Sequence, residues 1–224
     1  MSVRAREPAP PRRQSRGERT RQKIKDAVIR LLEERDYFDL TITDICRSAK
    51  VATGGFYFHY EKKATLIEEV LREHSADLWA ALERALHYED PYSAIHSASS
   101  TLVRKFGESR GLVRCFNQLA MVDRAYVQLW EDAATLWIAR LVKTLERAHS
   151  SRREHISTAN AYALLSLMDR LICGLYIERD PALVQSVGPT DEVIENVAVL
   201  WYRALTGRSP PAARLAYTNR GLGI

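Results

Sequence analysis

The 224-residue chain has only three cysteines, Cys46, Cys115 and Cys173, widely spaced and without a CxxC pair. An odd, scattered set supports neither a disulfide framework nor a zinc knuckle, so free, mostly buried thiols in a reducing compartment are expected. Long hydrophobic runs are missing too. The most apolar stretch, residues 159–177, is interrupted by Asp169 and Arg170 and falls short of the roughly 18 apolar residues that suggest a membrane span. The first 20 residues are rich in Arg and Pro and hold no apolar segment like that of a secretory leader. A soluble, cytoplasmic protein with no membrane partner is expected. Period-two alternation of apolar and polar residues has no useful length, which argues against a β-sheet, and there is no internal repeat.

Catalytic signatures are also absent: the chain has no HExxH, GxSxG, P-loop or GxGxxG. One Glu-x-x-His, Glu146 with His149, and one i,i+4 pair, Glu83 with His87, do not amount to the ligand set of a di-iron bundle. No enzyme, metal or cofactor is therefore expected; a helical enzyme is the weakest of the readings.

What the chain does contain is an uneven distribution of charge. The formal net charge is +5. Residues 1–25 hold nine Arg and Lys against Glu7 and Glu18, so the rest of the chain is slightly negative. A basic arm on a near-neutral body points to a polyanion partner at the N-terminal end. Residues 1–17, with Pro8, Pro10, Pro11 and Gly17, are expected to be a disordered basic arm.

A helix is predicted from near Glu18 to Arg35. Ile24, Ala27, Val28, Leu31 and Leu32 form one apolar stripe at helical spacing, and Tyr37, Phe38 and Leu40 are expected to close a small core. Thr41 or Thr43 caps a short second helix whose inner face is Ile42, Ile45, Cys46 and Ala49. Lys50 and Val51 turn the chain into a third helix over 52–60. Three short helices in some 45 residues make a minimal helix-turn-helix unit. Beyond it, helices are predicted over 64–86, 92–106, 112–119, 123–148, 156–177 and 191–205, with breaks at Gly107 and Gly111. The fold class is all-α, divided into a helix-turn-helix domain at 18–64, a helical regulatory and dimerisation domain at 65–207, and a loose tail at 208–224.

The segment from Thr41 to Lys63 carries most of the functional information. It packs Thr53, Tyr57, Phe58 and His59 into under two turns and follows them with Lys62 and Lys63. Such side chains at an exposed end suit phosphates and base edges. The first-helix stripe, Thr41-Ile42-Thr43-Asp44-Ile45-Cys46, Ala49-Lys50-Val51, Phe56-Tyr57-Phe58-His59-Tyr60, and then Lys63 and Leu66 together resemble the TetR family of bacterial transcriptional regulators over residues 18–70. Lys50 departs from the family's usual Gly, Ala52 from its Ser or Thr cap, and Gly55 from a larger DNA-reaching residue.

The resemblance implies a dimeric repressor that leaves a palindromic double-stranded DNA operator when a small apolar or aromatic effector binds. It implies that Thr41 or Thr43, with Tyr57, His59 and Lys63, contacts phosphates, with Lys62 beside them. Thr53, Gly54 and Gly55 would then face base edges, and Phe56 and Tyr60 would be core. Phe58 either meets a thymine methyl or packs inward.

For the body, the resemblance implies a ligand cavity and a homodimer. Trp79, Phe116, Met121, Tyr126, Trp130, Trp137 and Tyr162 are candidate apolar walls, with His96, Asn117 or Asp169 as polar handles. The last two long helices are apolar on more than one side, so Leu164, Met168, Leu171, Gly174, Leu175, Val197 and Trp201 are candidates for a four-helix interface. A helix-turn-helix protein that works without a ligand, or through a protein partner, is the second reading.

Overall fold

Helices carry the chain in the computed structural model, which describes residues 15–88, 90–148 and 156–217 and has no strand among them. Residues 1–14 of the basic arm, His149 and the end of the tail (218–224) lie outside the described residues.

The first helix, α1 (Arg16–Glu34), begins two residues before the predicted start. Ser15 Oγ accepts from the Glu18 amide at 3.1 Å while Glu18 Oε2 accepts from the Ser15 amide at 2.6 Å. This reciprocal capping box satisfies amides that a helix start otherwise leaves open. The stripe buries Ile24, Ala27, Val28 and Leu32. A single 3-10 turn, Tyr37–Asp39, follows. Tyr37 and Leu40 enter the core, but Phe38 is 59% exposed. With three residues per turn, neighbouring side chains diverge by about 120°, so Tyr37 and Phe38 cannot share one inward direction.

Thr41 proves to be the cap of α2 (Ile42–Ala49), again in a capping box, with Asp44. Lys50 ends α2 in the left-handed region (φ 56°, ψ 46°). After Val51 comes α3 (Thr53–His59), and then α4 (Lys63–Ala85). The first half of α4 packs Leu66, Ile67, Val70 and Leu71 against the three-helix head, and its second half buries Leu78, Leu82 and Ala85 in the body.

The body continues with α5 (Pro91–Glu108), α6 (Arg110–Ala120) and α7 (Arg124–Ala148). Asp90 caps α5, with Pro91 at its first position, where the missing N–H costs nothing. Neither Gly107 nor Gly111 breaks a helix. Gly107 lies inside α5, where a Cβ would sit 3.4 Å from the Tyr176 ring. Gly111 lies inside α6, and the junction falls at Ser109. Next come α8 (Thr158–Ile172), its π-helical continuation Cys173–Glu178, the short α9 (Pro181–Ser186) and α10 (Thr190–Thr206), which lies along α5.

The tail, expected to be loose from 208, is docked as far as it is described. The buried Glu195 carboxylate accepts from the amides of Ala216 (2.6 Å) and Tyr217 (2.8 Å), and Arg214 bridges Asp90 (2.8 Å) and Ser93 (2.6 Å). Loops with such anchors are fixed by hydrogen bonds that composition does not reveal.

Two apolar cores result, one in the head and one in the body. The head core is not closed by head residues alone, because α6 contributes Leu112, Cys115 and Leu119 to it. No helix among the described residues is long and apolar enough to cross a membrane.

Candidate nucleic-acid interface and body cavity

The orientation of α3 follows from its two core anchors. Phe56 is fully buried and Tyr60, just past the helix end, is 2% exposed. At about 100° per residue, the side facing away from both is the Gly54–Phe58 ridge, with Thr53 and Tyr57 on one flank and Gly55 and His59 on the other. Phe58 is 81% exposed and Tyr57 55%, while His59 is partly covered and stands edge-on to Phe58 at 5.0 Å. Thr43 on α2 and Lys62 before α4 are exposed as well. Ala52 gives α3 no side-chain cap.

The frame behind this ridge is held by charge. Arg21 Nε donates to the Tyr60 hydroxyl (3.2 Å), its guanidinium lies over the Tyr60 ring, and Nη2 donates to Glu69 (2.5 Å). Lys25 reaches Glu73 at 2.8 Å. Burial opposes ionisation of Glu69, but Arg21 and Lys25 outweigh it and hold its pKa below the usual value. Together these pairs bind α1 to α4 with Tyr60 between them. A Cβ on Gly17 would lie 3.8 Å from the His59 ring, so the chain enters α1 beside the end of α3.

Two expected phosphate ligands have other tasks. Lys63 Nζ donates to the carbonyls of Leu40 (2.6 Å) and Tyr37 (2.8 Å) and sits 4.2 Å from the centre of the Tyr37 ring. Burial pulls its pKa below the ordinary lysine value. It fastens the 3-10 turn from inside instead of reaching outward. Thr41 Oγ1 is likewise engaged with Asp44, donating to its carboxylate at 2.7 Å and accepting from its amide.

In the body, a cavity of about 110 Å³ opens between α4, α6, α7 and α8. Phe116, Asn117, Trp130 and Asp169 line it, as the sequence predicts, joined by Leu71, Leu78, Phe106, Leu112, Val113 and Leu129. Trp130 is the aromatic hub, within 5.1 Å of Trp79, 6.1 Å of Phe106 and 6.0 Å of Phe116, measured between ring centres. His74 and Ser75 are polar wall residues that the sequence did not reveal. Burial, helped by Lys105 and opposed by Asp77, lowers the His74 pKa, which favours a neutral imidazole. Enclosure by protein raises the Asp169 pKa against the opposing pull of Arg170, although its side chain still reaches solvent at the cavity mouth.

The other cavity candidates lie elsewhere. Trp79 is a second layer behind Trp130, and Trp137 is core at 3% exposure. Met121, just past the end of α6, is 87% exposed. Tyr126 packs against the head core. Tyr162 donates to Thr135 Oγ1 (2.8 Å) in an outer groove, and His96 lines an open groove along α5. Helical spacing identified an apolar face but not which of several neighbours it meets. Among the described residues, no group of three or more His, Cys, Asp or Glu is placed to hold a metal ion.

The dimer candidates divide in the same way. Met168, Gly174, Leu175, Val197 and Trp201 are buried within the single chain, whereas Leu164 and Leu171 are only partly covered. Exposed next to these two are Leu167 (67%) and Leu200 (54%). Asn160 Nδ2 donates to the Ala204 carbonyl (3.4 Å), which sets α8 beside α10 on this face. Both helices have an inner and an outer apolar side, and the sequence favoured the inner one.

Head and body meet at α6. Arg114 Nη2 donates to the carbonyls of Leu32 (2.5 Å) and Arg35 (3.2 Å), its Nε pairs with Asp36 (2.9 Å), and Gln118 Oε1 accepts from the Tyr37 amide (3.0 Å). These bonds satisfy carbonyls that the end of α1 leaves open. The Gly111 amide donates to Glu33 (3.1 Å), and a Cβ at Gly111 would overlap the Leu32 carbonyl. Across the same helix, Val113, Phe116 and Asn117 face the cavity.

Residues 24–70 match the family described as bacterial regulatory proteins, tetR family. An uncharacterized HTH-type transcriptional regulator of Bacillus subtilis, YxbF, is 36% identical over 67 residues, which is 30% of this chain and 18% of that protein. The HTH-type transcriptional regulator EthR of Mycolicibacterium smegmatis is 22% identical over 188 residues, covering 81% of this chain and 83% of that one. Among solved structures, a TetR-like transcriptional regulator from Rhodococcus sp. RHA1 superposes with a TM-score of 0.65 at 17% identity, over 88% of this chain and 100% of that one.

Proposed function

Since the chain belongs to the TetR family and is a helix-turn-helix transcriptional regulator, we propose that it is a dimeric, cytoplasmic repressor released from a palindromic operator by a small apolar or aromatic effector. The observation that carries this reading is the double engagement of α6. One side of it forms the wall of the body cavity and the other holds the end of α1.

The contact set is Thr53, Gly54, Gly55, Tyr57 and Phe58 toward the bases, and Thr43, His59 and Lys62 toward phosphates. Lys63 and Thr41 support this face from behind. The basic residues that precede α1 add electrostatic attraction. The effector occupies the cavity around Trp130, with Asn117, His74 and Asp169 as polar handles. The exposed leucines of α8 and α10 pair two copies, so that two α3 helices meet successive major-groove faces about 34 Å apart. An effector that fits only a displaced α6 favours a conformer in which that spacing is lost. Operator affinity then falls by the coupling free energy, typically about 1–3 kcal/mol.

The test is recovery of genomic fragments bound by the purified protein, followed by titration of a recovered operator in the presence of small apolar compounds. A compound that raises the melting temperature and weakens operator binding supports the reading, and Trp130→Ala should abolish both effects. If operator binding ignores every compound that stabilises the protein, the ligand-independent alternative takes its place.

A further inference from the structure

The ridge that α3 turns outward is nearly devoid of hydrogen-bonding groups. Between Thr53 and His59 there is no guanidinium, ammonium or side-chain amide, the groups that pair in bidentate fashion with guanine or adenine in the major groove. A Cβ on Gly54 would meet nothing within 4 Å, and one turn later the Phe58 ring stands 81% exposed. Thr53 and Tyr57, with their hydroxyls, lie on one flank. The foremost part of the helix is therefore a bare backbone followed by a phenyl ring.

Building on the DNA-binding reading above, we infer that Phe58 reads the 5-methyl group of a thymine in each half-site, with Gly54 giving the backbone clearance that brings the ring to the base edge. The other edges available in the major groove are polar: the amino group of cytosine, N7 and the amino group of adenine, N7 and O6 of guanine. A phenyl ring pressed on any of these removes water and supplies no partner, which is unfavourable. Against a methyl group the same contact buries apolar surface on both sides. Specificity at this position comes from an apolar fit, with hydrogen-bonded readout confined to the flanks.

The experiment begins with duplexes selected by the full-length protein from a random-sequence pool. Thymines of the selected site are replaced one at a time by uracil, which removes the methyl and leaves base pairing unchanged. One position in each half-site should lose about fourfold in affinity, the worth of one buried methyl group, and both together about fifteenfold. Replacing that base pair by a cytosine pair should weaken binding, and 5-methylcytosine should restore about fourfold of the loss. Phe58→Ala should bind more weakly and lose the thymine–uracil difference. Its exposure makes it safe for folding, to be checked by an unchanged melting curve. Equal binding of every uracil-substituted duplex, or a thymine–uracil difference that survives in Phe58→Ala, overturns the inference while leaving DNA binding in place. Failure to enrich any duplex removes the DNA-binding reading itself.

Discussion

In the head, polar groups near the core have partners in place. Capping boxes close the starts of α1 and α2, Lys63 fills two carbonyls of the 3-10 turn, and Arg21 joins Tyr60 to Glu69. In the body, the buried Nε1 atoms of Trp79 and Trp137, the Tyr92 hydroxyl and Nε of Arg203 have no hydrogen-bond partner among the described residues. Trp79 packs directly on Trp130 at the cavity, and Trp137 packs on Trp79. A buried donor without an acceptor costs about 1–3 kcal/mol. The head thus resembles a part that presents one fixed face, whereas the body leaves polar groups unmatched, two of them on the tryptophans stacked behind the cavity. That contrast is what the effector mechanism proposed above requires: a reading surface that stays fixed and a cavity that adapts.

The contrast can be broken most forcefully at the joint. Gly111→Ala places a Cβ over the Leu32 carbonyl and 2.6 Å from the Glu33 amide nitrogen, both backbone and both unable to yield. The variant should lose about 2–3 kcal/mol by urea unfolding, with a matching loss of operator affinity. A change below about 0.5 kcal/mol would mean that α1 and α6 separate freely. Next comes Lys63→Met, which takes the ammonium away from the Leu40 carbonyl and leaves the Tyr37 carbonyl with the Leu40 amide alone, and should cost about 1–2 kcal/mol. Lys50→Gly has the opposite sign. It relieves a left-handed backbone that costs a non-glycine residue about 1–2 kcal/mol and returns part of this as chain entropy, for a net gain of about 1 kcal/mol. Tyr92→Phe deletes an unpartnered hydroxyl at constant shape and should be neutral or stabilising by about 0.5 kcal/mol in a thermal melt. If Lys63→Met proved harmless and Tyr92→Phe costly, the contrast between head and body would be lost.

The smallest effect concerns pH. Because the folded-state pKa of His74 lies below its ordinary 6.5, the unfolded chain takes up a proton first as pH falls through that value. The contribution of His74 to stability is therefore complete above 6.5 and declines below it. The melting temperature should drop between pH 7 and about pH 5, and by less in His74→Leu.

The helix-turn-helix head was legible in the sequence because its signals are local: a stripe at Ile24, Ala27 and Val28, a cap at Thr41, and paired anchors at Phe56 and Tyr60. What was not legible depends on distant neighbours. Gly111 read as a breaker, yet glycine there answers to the backbone of Leu32, 79 positions earlier in the chain. Lys63 read as a phosphate ligand because its position along the chain does not show that two carbonyls lie within reach of its ammonium. Ser15 was hidden by the Arg- and Pro-rich composition around it. Met168 and Leu167 are adjacent on an apolar helix, and only packing decides that the first enters the core while the second faces out. His74, between Glu73 and Ser75, had nothing in its surroundings to mark it as a cavity wall.

The contact at Gly111 has a mechanical meaning. Where side chains separate two helices, rotamer changes can absorb a small displacement and nothing passes on. Here backbone rests on backbone, so the coupling has no play. A shift of α6 smaller than the width of an atom must reappear at the end of α1. Under the mechanism proposed above, selection on the body can then retune the head through substitutions that lie outside both the α3 ridge and the cavity, provided they tilt this one helix.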